Sequence, residues 1–488
     1  MSRTPQVATP TVKFPHRSRR GILLGLTAPQ LITVGLAGLL LLAVILARGL
    51  VGALELIPLW AVIALLVFVR HRGRTLADWT PILTRYLARR LRGQLVWLTR
   101  PSQRPMHEGL LHLPGTAASL RVVTAPDGRY AAVHNPHTGS LTAVVKVSSR
   151  AYALLDPSTQ NANVNGWGRT LAALARSGHV ARIQVIERTV PDSGDALRRY
   201  WEQHGNPDAP VAGAIYGELI QSAGPAAAPH EAYIALSLDA KATRRLANQA
   251  GGGLAGSFSV LSQLVSTFDQ AARTAGLNPS GWLTAREIAA VVRTAYDPKA
   301  LTSLDRWSTG ARPEADPSAA GPVVVVEKAD HIATDSAVHA TYWVENWPRT
   351  ETSAGFLHQL LFTAGVRRTL SLSYEPKGLD AALRDVQRKK ASVIADSAER
   401  ARRGRVESEA DSIEYQDIKA RERQLIAGHA DVALTGLLTV SADSEEELRS
   451  ACAVVETAAV GAQLDLRLLT WQQAHAFTAA AMPLALTA

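Results

Sequence analysis

Two short stretches of this sequence contain residue types that handle nucleotide phosphates in other proteins. Gly251–Gly256 (GGGLAG) is the nearest match to a loop that cradles a phosphate, but it lacks the lysine of such loops. No G-x-x-x-x-G-K-[ST] pattern occurs in the chain. Glu327 follows the apolar run Val323–Val326, as an acid beside Mg²⁺ would, yet no phosphate loop accompanies it. The sequence therefore predicts a flexible joint between helices at the glycines and a buried strand before Glu327.

Histidine and cysteine patterns do not complete a catalytic or metal site either. His134 and His137 flank an Asn-Pro turn, and two histidines do not close a metal site. Neither G-x-S-x-G nor H-E-x-x-H occurs. The single cysteine, Cys452, lies in an apolar helical stretch and is expected to be buried and inert. The sequence thus predicts a protein that is not an enzyme, holds no cofactor or metal, and neither binds nor hydrolyses ATP.

Two apolar runs near the N-terminus predict a membrane hairpin. They extend from about Leu31 to Ala47 and from about Leu54 to Val69. Both are near the lower limit of about 17 residues for a membrane-spanning helix, and Pro58 is tolerable in a first helical turn. Arginines precede and follow the pair, whereas the connection between the runs is nearly neutral. This bias predicts that both termini lie in the cytoplasm and that the chain resides in the inner membrane.

The basic charge of the chain is concentrated beside this pair. The formal net charge is +10, but the first 100 residues hold 14 of the 52 Lys and Arg residues and only two of the 42 acids. The remaining 388 residues are close to neutral. Because the excess lies next to the predicted spans, we expect it to meet membrane lipid, and no direct sequence-specific nucleic-acid binding is expected.

Strand and helix patterns alternate through the rest of the chain. They predict an α+β fold in which the N-terminal two-helix transmembrane hairpin precedes two mixed α/β cytoplasmic lobes with mixed sheets. No short periodic repeat is visible. The predicted divisions are a basic flexible tail (1–20), the transmembrane hairpin (21–72), a juxtamembrane amphipathic helix (73–104) with helical spacing over Leu76–Leu98, a first cytoplasmic α+β region (105–308), a linker rich in Ala, Pro and Gly (309–322), and a second α+β region (323–488) with a long charged helical pair over Asp380–Ala427.

Three local clusters in the second region have structural explanations of their own. Trp347 and Pro348 close one predicted strand, Glu375-Pro376 ends another, and Gly428-His429 separates the charged helices from a third. Aromatic packing, a strand end and a helix-terminating glycine account for these residue types.

The same clusters take part in a resemblance to secretion proteins. The opening of the first apolar run, with Gly25, Leu26, Thr27 and Gln30, resembles the G-L-T-x-x-Q entry of PrgI-type small membrane proteins of type IV secretion. The segments HATYWVENWPR, FLHQLLF, RTLSLSYEP and GHADVALTGLLTVSA, separated by the charged helices, are similar in order to the non-motor N-terminal half of conjugative traffic ATPases. The P-loop motor domain of those ATPases is missing from this sequence.

This resemblance implies a PrgI-like hairpin fused to such a non-motor half, as in an actinobacterial family of secretion or conjugation components. It implies a non-catalytic inner-membrane scaffold that anchors a separate hexameric traffic ATPase. Other secretion-system subunits would be further partners, and the chain would be oligomeric within the complex. The alternative is an EccE-like two-span component of type VII secretion, which shares the layout of hairpin and cytoplasmic region.

Overall fold

The computed structural model describes residues 11–12, 14, 28–71, 74–99, 108–149, 154–190, 201, 204–205, 210–222, 230–308, 312–402, 409–427 and 429–487. Most of the predicted basic tail, residues 1–20, lies outside this described part of the chain.

Two apolar helices lie near the start of the described chain. Helix α1 (Ala28–Glu55) is interrupted at Gly49, whose φ of 66° breaks the regular backbone. Helix α2 (Ile57–Phe68) carries Pro58 in its first turn, as predicted. Among the described helices, one segment, Gln30–Gly49, is long and apolar enough to cross a bilayer, and 6% of its most apolar window is buried. At 12 residues α2 is apolar but short, so the structure offers one candidate span where the sequence predicts two.

The helix that follows is shorter than the sequence predicts. Helix α3 (Leu76–Leu91) ends just before Gly93, whose φ is 67°, and strand β4 (Val96–Leu98) follows. The expectation of one helix over Leu76–Leu98 is therefore wrong, because a glycine in the left-handed conformation ends an α-helix.

The remaining strands are distributed along the whole described chain. In chain order they are β1 (Thr11–Val12), β2 (Arg70–His71), β3 (Arg74–Thr75), β5 (Arg121–Thr124), β6 (Ala131–Asn135), β7 (Ser140–Ser149), β8 (Val180–Thr189), β9 (His230–Leu238), β10 (Leu277–Trp282), β11 (Val324–Glu327), β12 (Ile332–Ala333), β13 (Val338–Asn346), β14 (Thr352–Ser353), β15 (Arg367–Lys377), β16 (Asp431–Ala442) and β17 (Asp465–Leu468).

The remaining helices alternate with these strands. They are α4 (Pro157–Ser177), α5 (Pro210–Ser222), α6 (Arg244–Gln249), α7 (Gly253–Thr274), α8 (Ala285–Tyr296), α9 (Ala300–Trp307), α10 (His358–Leu361), α11 (Leu379–Arg402), α12 (Glu409–Ile426), α13 (Glu445–Gly461) and α14 (Gln473–Ala480). Thr284 and Glu287, three residues apart, form a capping box at the start of α8.

Thirteen strands form one sheet, in the order β4-β11-β12-β13-β16-β15-β8-β9-β7-β6-β5, with β10 also paired to β7 and β17 to β13. Within it the same unit occurs twice. The first unit runs β7-α4-β8-β9-α7-β10 and places its strands in the order β10-β7-β9-β8. The second runs β13-α10-β15-β16-α13-β17 and places them in the order β17-β13-β16-β15. Both are the βαββαβ arrangement called ferredoxin-like, so the chain is duplicated in topology without a visible short sequence repeat.

The prediction of an α+β fold is confirmed, but the prediction of mixed sheets is wrong. Every strand pairing in the described part of the chain is antiparallel, including that of β8 with β15. In each unit the third strand lies between the two strands of the βαβ crossover, so no parallel strands become neighbours. The β8–β15 pairing joins the two predicted lobes into one sheet; the predicted domain boundaries themselves stay predictions.

Helices cover both faces of this sheet. Helices α4 and α7 pack on one face in the first half, and α13 packs on the corresponding face in the second half. Helix α8 and the C-terminal segment share a core with the opposite face. Fully buried side chains of these layers include Leu174, Phe258 and Phe268 on the first face, Ile288, Tyr296 and Phe477 on the opposite face, and Leu438 and Val455 in the second half.

A buried glutamine fastens the C-terminal segment across the junction of the halves. The Gln184 side chain on β8 is fully buried, and its Nε2 donates to Ser371 Oγ and to Ala479 O, both at 2.9 Å. Its Oε1 accepts the N–H of Ala485 at 2.7 Å. One amide therefore connects β8, β15, α14 and the chain end, and every polar atom of the side chain is satisfied.

An ion cluster lies beneath α8. Glu231 accepts hydrogen bonds from Arg188 Nη2 and Lys146 Nζ, each at 2.7 Å, and from the Tyr233 hydroxyl at 2.9 Å. Arg188 is 5% exposed and also donates to Val291 O. Burial alone would raise the pKa of the Glu231 carboxyl, but the charges of Arg188 and Lys146 outweigh it and lower the pKa to about 2.

Glu231→Gln should destabilise the protein, because it leaves the Arg188 guanidinium buried without its carboxylate. Breaking a buried pair in this way costs about 3–5 kcal/mol, measurable as the free energy of unfolding of the detergent-solubilised chain in urea. Because the folded-state pKa is lowered, the contribution of Glu231 is fully present above its ordinary pKa of 4.5. It is lost as the pH falls toward about 2, so the difference between the two proteins should shrink in that window.

Asp127→Asn is the matched control, since Asp127 lies in an exposed turn 3.9 Å from Arg129. Its effect should stay within about 0.5 kcal/mol. Equal stabilities of the Gln variant and the wild type at neutral pH would contradict the assigned role of Glu231.

Candidate functional site

The candidate functional site is the junction where the two apolar helices meet the α+β body, which we call the helix–body junction. It consists of the start of α1, the end of α2, helix α3, and the body residues that contact α3. Its composition matters because these contacts position the two apolar helices relative to the body.

The ends of the two apolar helices are tied together at this junction. Gln30 is 6% exposed, and its Nε2 donates to Val67 O at 2.7 Å. The chain then turns directly into α3, where the N–H of Leu76 donates to Val69 O at 3.1 Å. The start of α1 and the end of α2 therefore lie side by side against α3. Gln30 was predicted as a family-motif residue, and the structure gives it this bracing role.

An ion pair holds α3 against the body. Arg89 donates to Glu327 through Nη1 at 2.6 Å and through Nη2 at 3.2 Å. Nη2 also donates to Trp471 O at 3.0 Å. Glu327 is 4% exposed, whereas the Arg89 side chain is 31% exposed. A two-pronged pair of this kind fixes geometry as well as contributing energy, so the Glu327 carboxylate acts as the structural partner of α3.

A pair of tryptophans adds an apolar contact beside the ion pair. Trp79 of α3 meets Trp471 edge to face, with ring centroids 5.3 Å apart. Trp471 adopts a φ of 63°, which is unusual for a residue with a side chain, and its N–H donates to Ala329 O at 2.7 Å. This backbone turn presents both the ring and the carbonyl of Trp471 to α3.

The N-terminal segment, which precedes the apolar helices in the sequence, also contacts the body. Strand β1 pairs with β14. Phe14 stacks on Trp347 with centroids 4.9 Å apart, and it meets Phe356 edge to face at 5.5 Å. We call this contact the Phe14 clasp. The predicted family-motif residue Trp347 is thus half-buried under the N-terminal segment, and Pro348 beside it is buried.

The other predicted motif residues are scattered. Glu375 pairs with Arg182 across the junction of the two halves, and Arg182 also donates to Ala485 O at 2.7 Å. Pro376 lies near the end of β15, beyond the last residue that pairs with β8, so its missing N–H leaves no gap on that side. His429 is exposed between α12 and β16. Gly25, Leu26, Thr27 and Gly428 lie outside the described residues.

The predicted charged helical pair is confirmed as α11 and α12. A short apolar seam joins them, and Lys390 pairs with Glu422 at 2.9 Å. Arg421 pairs with Asp385 at 3.1 Å and also with Asp431 at the start of β16. These contacts fix the base of the pair to the body.

The glycine-rich segment and the potential metal ligands can be placed in the fold. Gly251 and Gly252 join α6 to α7, and a Cβ at either would meet no atom within 4 Å, whereas Gly256 within α7 packs closely: a Cβ there would lie 2.0 Å from Ala247 O. The described residues hold no group of three or more His, Cys, Asp or Glu side chains that could bind a metal. The contacts at the helix–body junction are an ion pair, hydrogen bonds and ring packing that hold α3 against the body.

Comparison with known proteins adds no further information on this site. No protein-family model matches the chain, and no curated protein matches it.

Reasoning from the sequence missed the residues that couple the parts. Arg89 is one of four arginines in the α3 segment, and nothing in the pattern distinguishes it from Arg85, Arg90 or Arg92. Phe14 did carry a signal, since it is the single aromatic residue of the basic tail. Trp471 gave none, because its unusual backbone turn cannot be read from its neighbours.

Arg89→Ala should loosen α3 from the body. The substitution leaves the Glu327 carboxylate buried without its cation, at a cost of about 3 kcal/mol. Hydrogen exchange of the full chain in detergent should then accelerate in α3 and β4 and stay unchanged in β8 and β9. Arg85→Ala is the control, because Arg85 is exposed on the same helix. Unchanged exchange in α3 of the Arg89 variant would show that the ion pair does not hold the helix.

Proposed function

We propose that this chain is a non-catalytic scaffold in the cytoplasmic membrane, held there by a two-helix hairpin, and that its body anchors the separate traffic ATPase of a secretion or conjugative DNA-transfer apparatus. The observation that carries the proposal is the Phe14 clasp. It brings the chain that precedes the apolar helices onto the same folded body as the chain that follows them.

The Phe14 clasp supports an even number of membrane crossings. Phe14 contacts the body through Trp347, and α3 contacts it through Glu327. If the apolar segment between them enters a bilayer, it must return to the side from which it entered. A single crossing by α1 would separate Phe14 from the body and break the stacked contact.

The dimensions of the return path support the same reading. Gln30–Gly49 contains 20 residues, which is about 30 Å of helix at 1.5 Å per residue. Residues 50–55 of α1 and the following α2 give a second limb of about 28 Å, bent near Leu56. Both match a hydrocarbon core of about 30 Å. The bond from Gln30 to Val67 holds the open ends of the limbs together.

The distribution of charge fits a body on the cytoplasmic side. Three arginines, Arg70, Arg72 and Arg74, follow the second limb. Near the turn at Gly49, by contrast, the charges of Arg48 and Glu55 compensate each other at 3.9 Å. Positive flanks favour the cytoplasm.

The proposed partner follows from the resemblance to the non-motor half of conjugative traffic ATPases. The segments that carry it surround α11 and α12 and include the Phe14 clasp at Trp347. Because no P-loop motif occurs in this sequence, the proposal assigns the motor activity to a separate ATPase. An EccE-like role in type VII secretion, beside an FtsK-like ATPase, is the alternative with the same layout.

Cysteine labelling tests the topology. In a Cys452→Ala background, a cysteine at Val51, which is 67% exposed and lies two residues after the turn at Gly49, should react with a membrane-impermeant maleimide in intact cells. A cysteine at Asp127, in an exposed turn of the body, should react only after lysis. Labelling of the Asp127 site in intact cells would place the body outside and overturn the proposed topology.

Purification in mild detergent from the native host tests the partner. The tagged full chain should co-purify with an ATPase identified by mass spectrometry, whereas an unrelated tagged two-span protein should not. A second chain, with the tip between Val393 and Ile418 replaced by a short turn, keeps the Lys390–Glu422 and Arg421–Asp385 pairs and should fold. Since mixed-charge helices usually present a solvated face, we expect it to retain the ATPase.

The identity of the captured ATPase separates the candidate functions. A conjugative traffic ATPase supports the proposal, and an FtsK-like ATPase supports the EccE-like alternative. Absence of any ATPase from the wild-type capture would overturn the anchoring role.

A further inference from the structure

Helix α3 has an apolar side that the protein does not cover. Leu83, Leu87 and Leu91 follow one another at a spacing of four residues, and their side chains are 36%, 43% and 89% exposed. Residues at this spacing lie on one side of a helix. Trp79, which packs against Trp471 of the body, and Tyr86 are buried on a neighbouring side. We call the three exposed residues the leucine stripe.

The leucine stripe continues the apolar surface of the helices that precede it. Helix α3 contacts both α1 and α2, and its first N–H, that of Leu76, bonds to Val69 O at the end of α2. Exposed apolar side chains lie along α1 and α2 as well, among them Leu39, Leu65 and Phe68. The stripe therefore begins where the proposed membrane segment ends, at the level of the lipid headgroups.

Charge beside the stripe favours the same environment. Arg90 lies next to Leu87 and Leu91 on the helix surface, is exposed, and has no ion pair among the described residues. The one acid of α3, Asp78, is engaged by Thr75 in the capping box at the start of the helix. Arg90 also lines a groove of about 480 Å³ that runs between α3 and β4, with the exposed Val96 on its other side.

We propose that α3 lies in the headgroup layer of the cytoplasmic leaflet, with the leucine stripe reaching the acyl boundary and Arg90 beside an anionic phospholipid headgroup. An amphipathic helix that binds in this way buries its apolar side about 5–10 Å into the interface. The inference rests on the proposed membrane insertion of α1 and α2. It adds that the body is seated on the bilayer surface, because α3 is locked to the body through Glu327 and Trp471.

The test measures the depth of single labels on the full chain in liposomes that contain an anionic phospholipid. A Cys452→Ala background carries one nitroxide at Leu87, at Leu91, or at Arg85, an exposed position on the side of α3 away from the stripe. We expect the labels at Leu87 and Leu91 to be accessible to oxygen and shielded from a water-soluble nickel complex. The label at Arg85 should show the opposite preference.

A fourth label, at Leu39 in α1, separates this inference from the proposed function. If the Leu39 label lies in lipid while the Leu87 and Leu91 labels are open to the nickel complex, α1 is inserted and the interfacial seat of α3 is wrong. Labels at Leu87 and Leu91 that are shielded from both reagents would place a protein partner on the stripe and equally overturn the inference. A Leu39 label in water would overturn the membrane insertion and this inference together.

Discussion

The antiparallel pairing of β8 with β15 is the interaction on which the rest of the structure depends. Six consecutive residues of β15, Thr369–Tyr374, pair with β8. Without this ladder each half would end in an open strand edge, which invites pairing with other chains. With it, two βαββαβ units share one sheet, and Gln184 and the C-terminal segment can bridge them on a single face. The ion cluster around Glu231 lies on the same face, beneath α8.

The connection between the apolar helices and the body depends on a different kind of contact. Arg89 and Glu327 are a charge pair placed between a helix and the end of a strand, and Trp79 and Trp471 pack beside it. Apolar packing alone would allow α3 to slide along the body. The two-pronged geometry of a guanidinium on a carboxylate restricts both the position and the rotation of α3 on the body.

Local patterns predicted the elements well and their arrangement poorly. Alternation and turn residues predict strands over Leu120–Thr124, Leu141–Val147, Ala232–Leu238 and Val432–Val440, and β5, β7, β9 and β16 lie there. Each strand carries its own signal in a few neighbouring residues. The long charged pair α11–α12 was equally clear from its length and charge. The duplication was invisible, because two halves can repeat a topology while sharing little more than apolar positions, and such positions do not stand out in one sequence. The end of α3 was misplaced because Gly93 was read as part of a helix.

The residues of the candidate site that the sequence predicted are mainly those that belong to a recognisable motif. Gln30 and Trp347 were predicted as motif residues. In the structure Gln30 joins the start of α1 to the end of α2, and Trp347 packs against Phe14 of the N-terminal segment. The partners Arg89, Glu327 and Phe14 were not predicted as contacts, since they are far apart in sequence and only the folded chain brings them together. Glu327 was correctly assigned to the end of a buried strand, but its ion pair with α3 could not be inferred.

The Phe14 clasp also limits how the body can turn. A domain joined to a membrane anchor by one linker swivels freely about that linker. Here the chain contacts the body at two separate places, at Trp347 before the apolar helices and at Glu327 after them. If the apolar helices form the proposed membrane anchor, two such contacts restrict rotation of the body about the anchor more than a single linker does. In a ring of such chains, this restriction would favour one common side of each body toward the centre, in addition to any contact between neighbours.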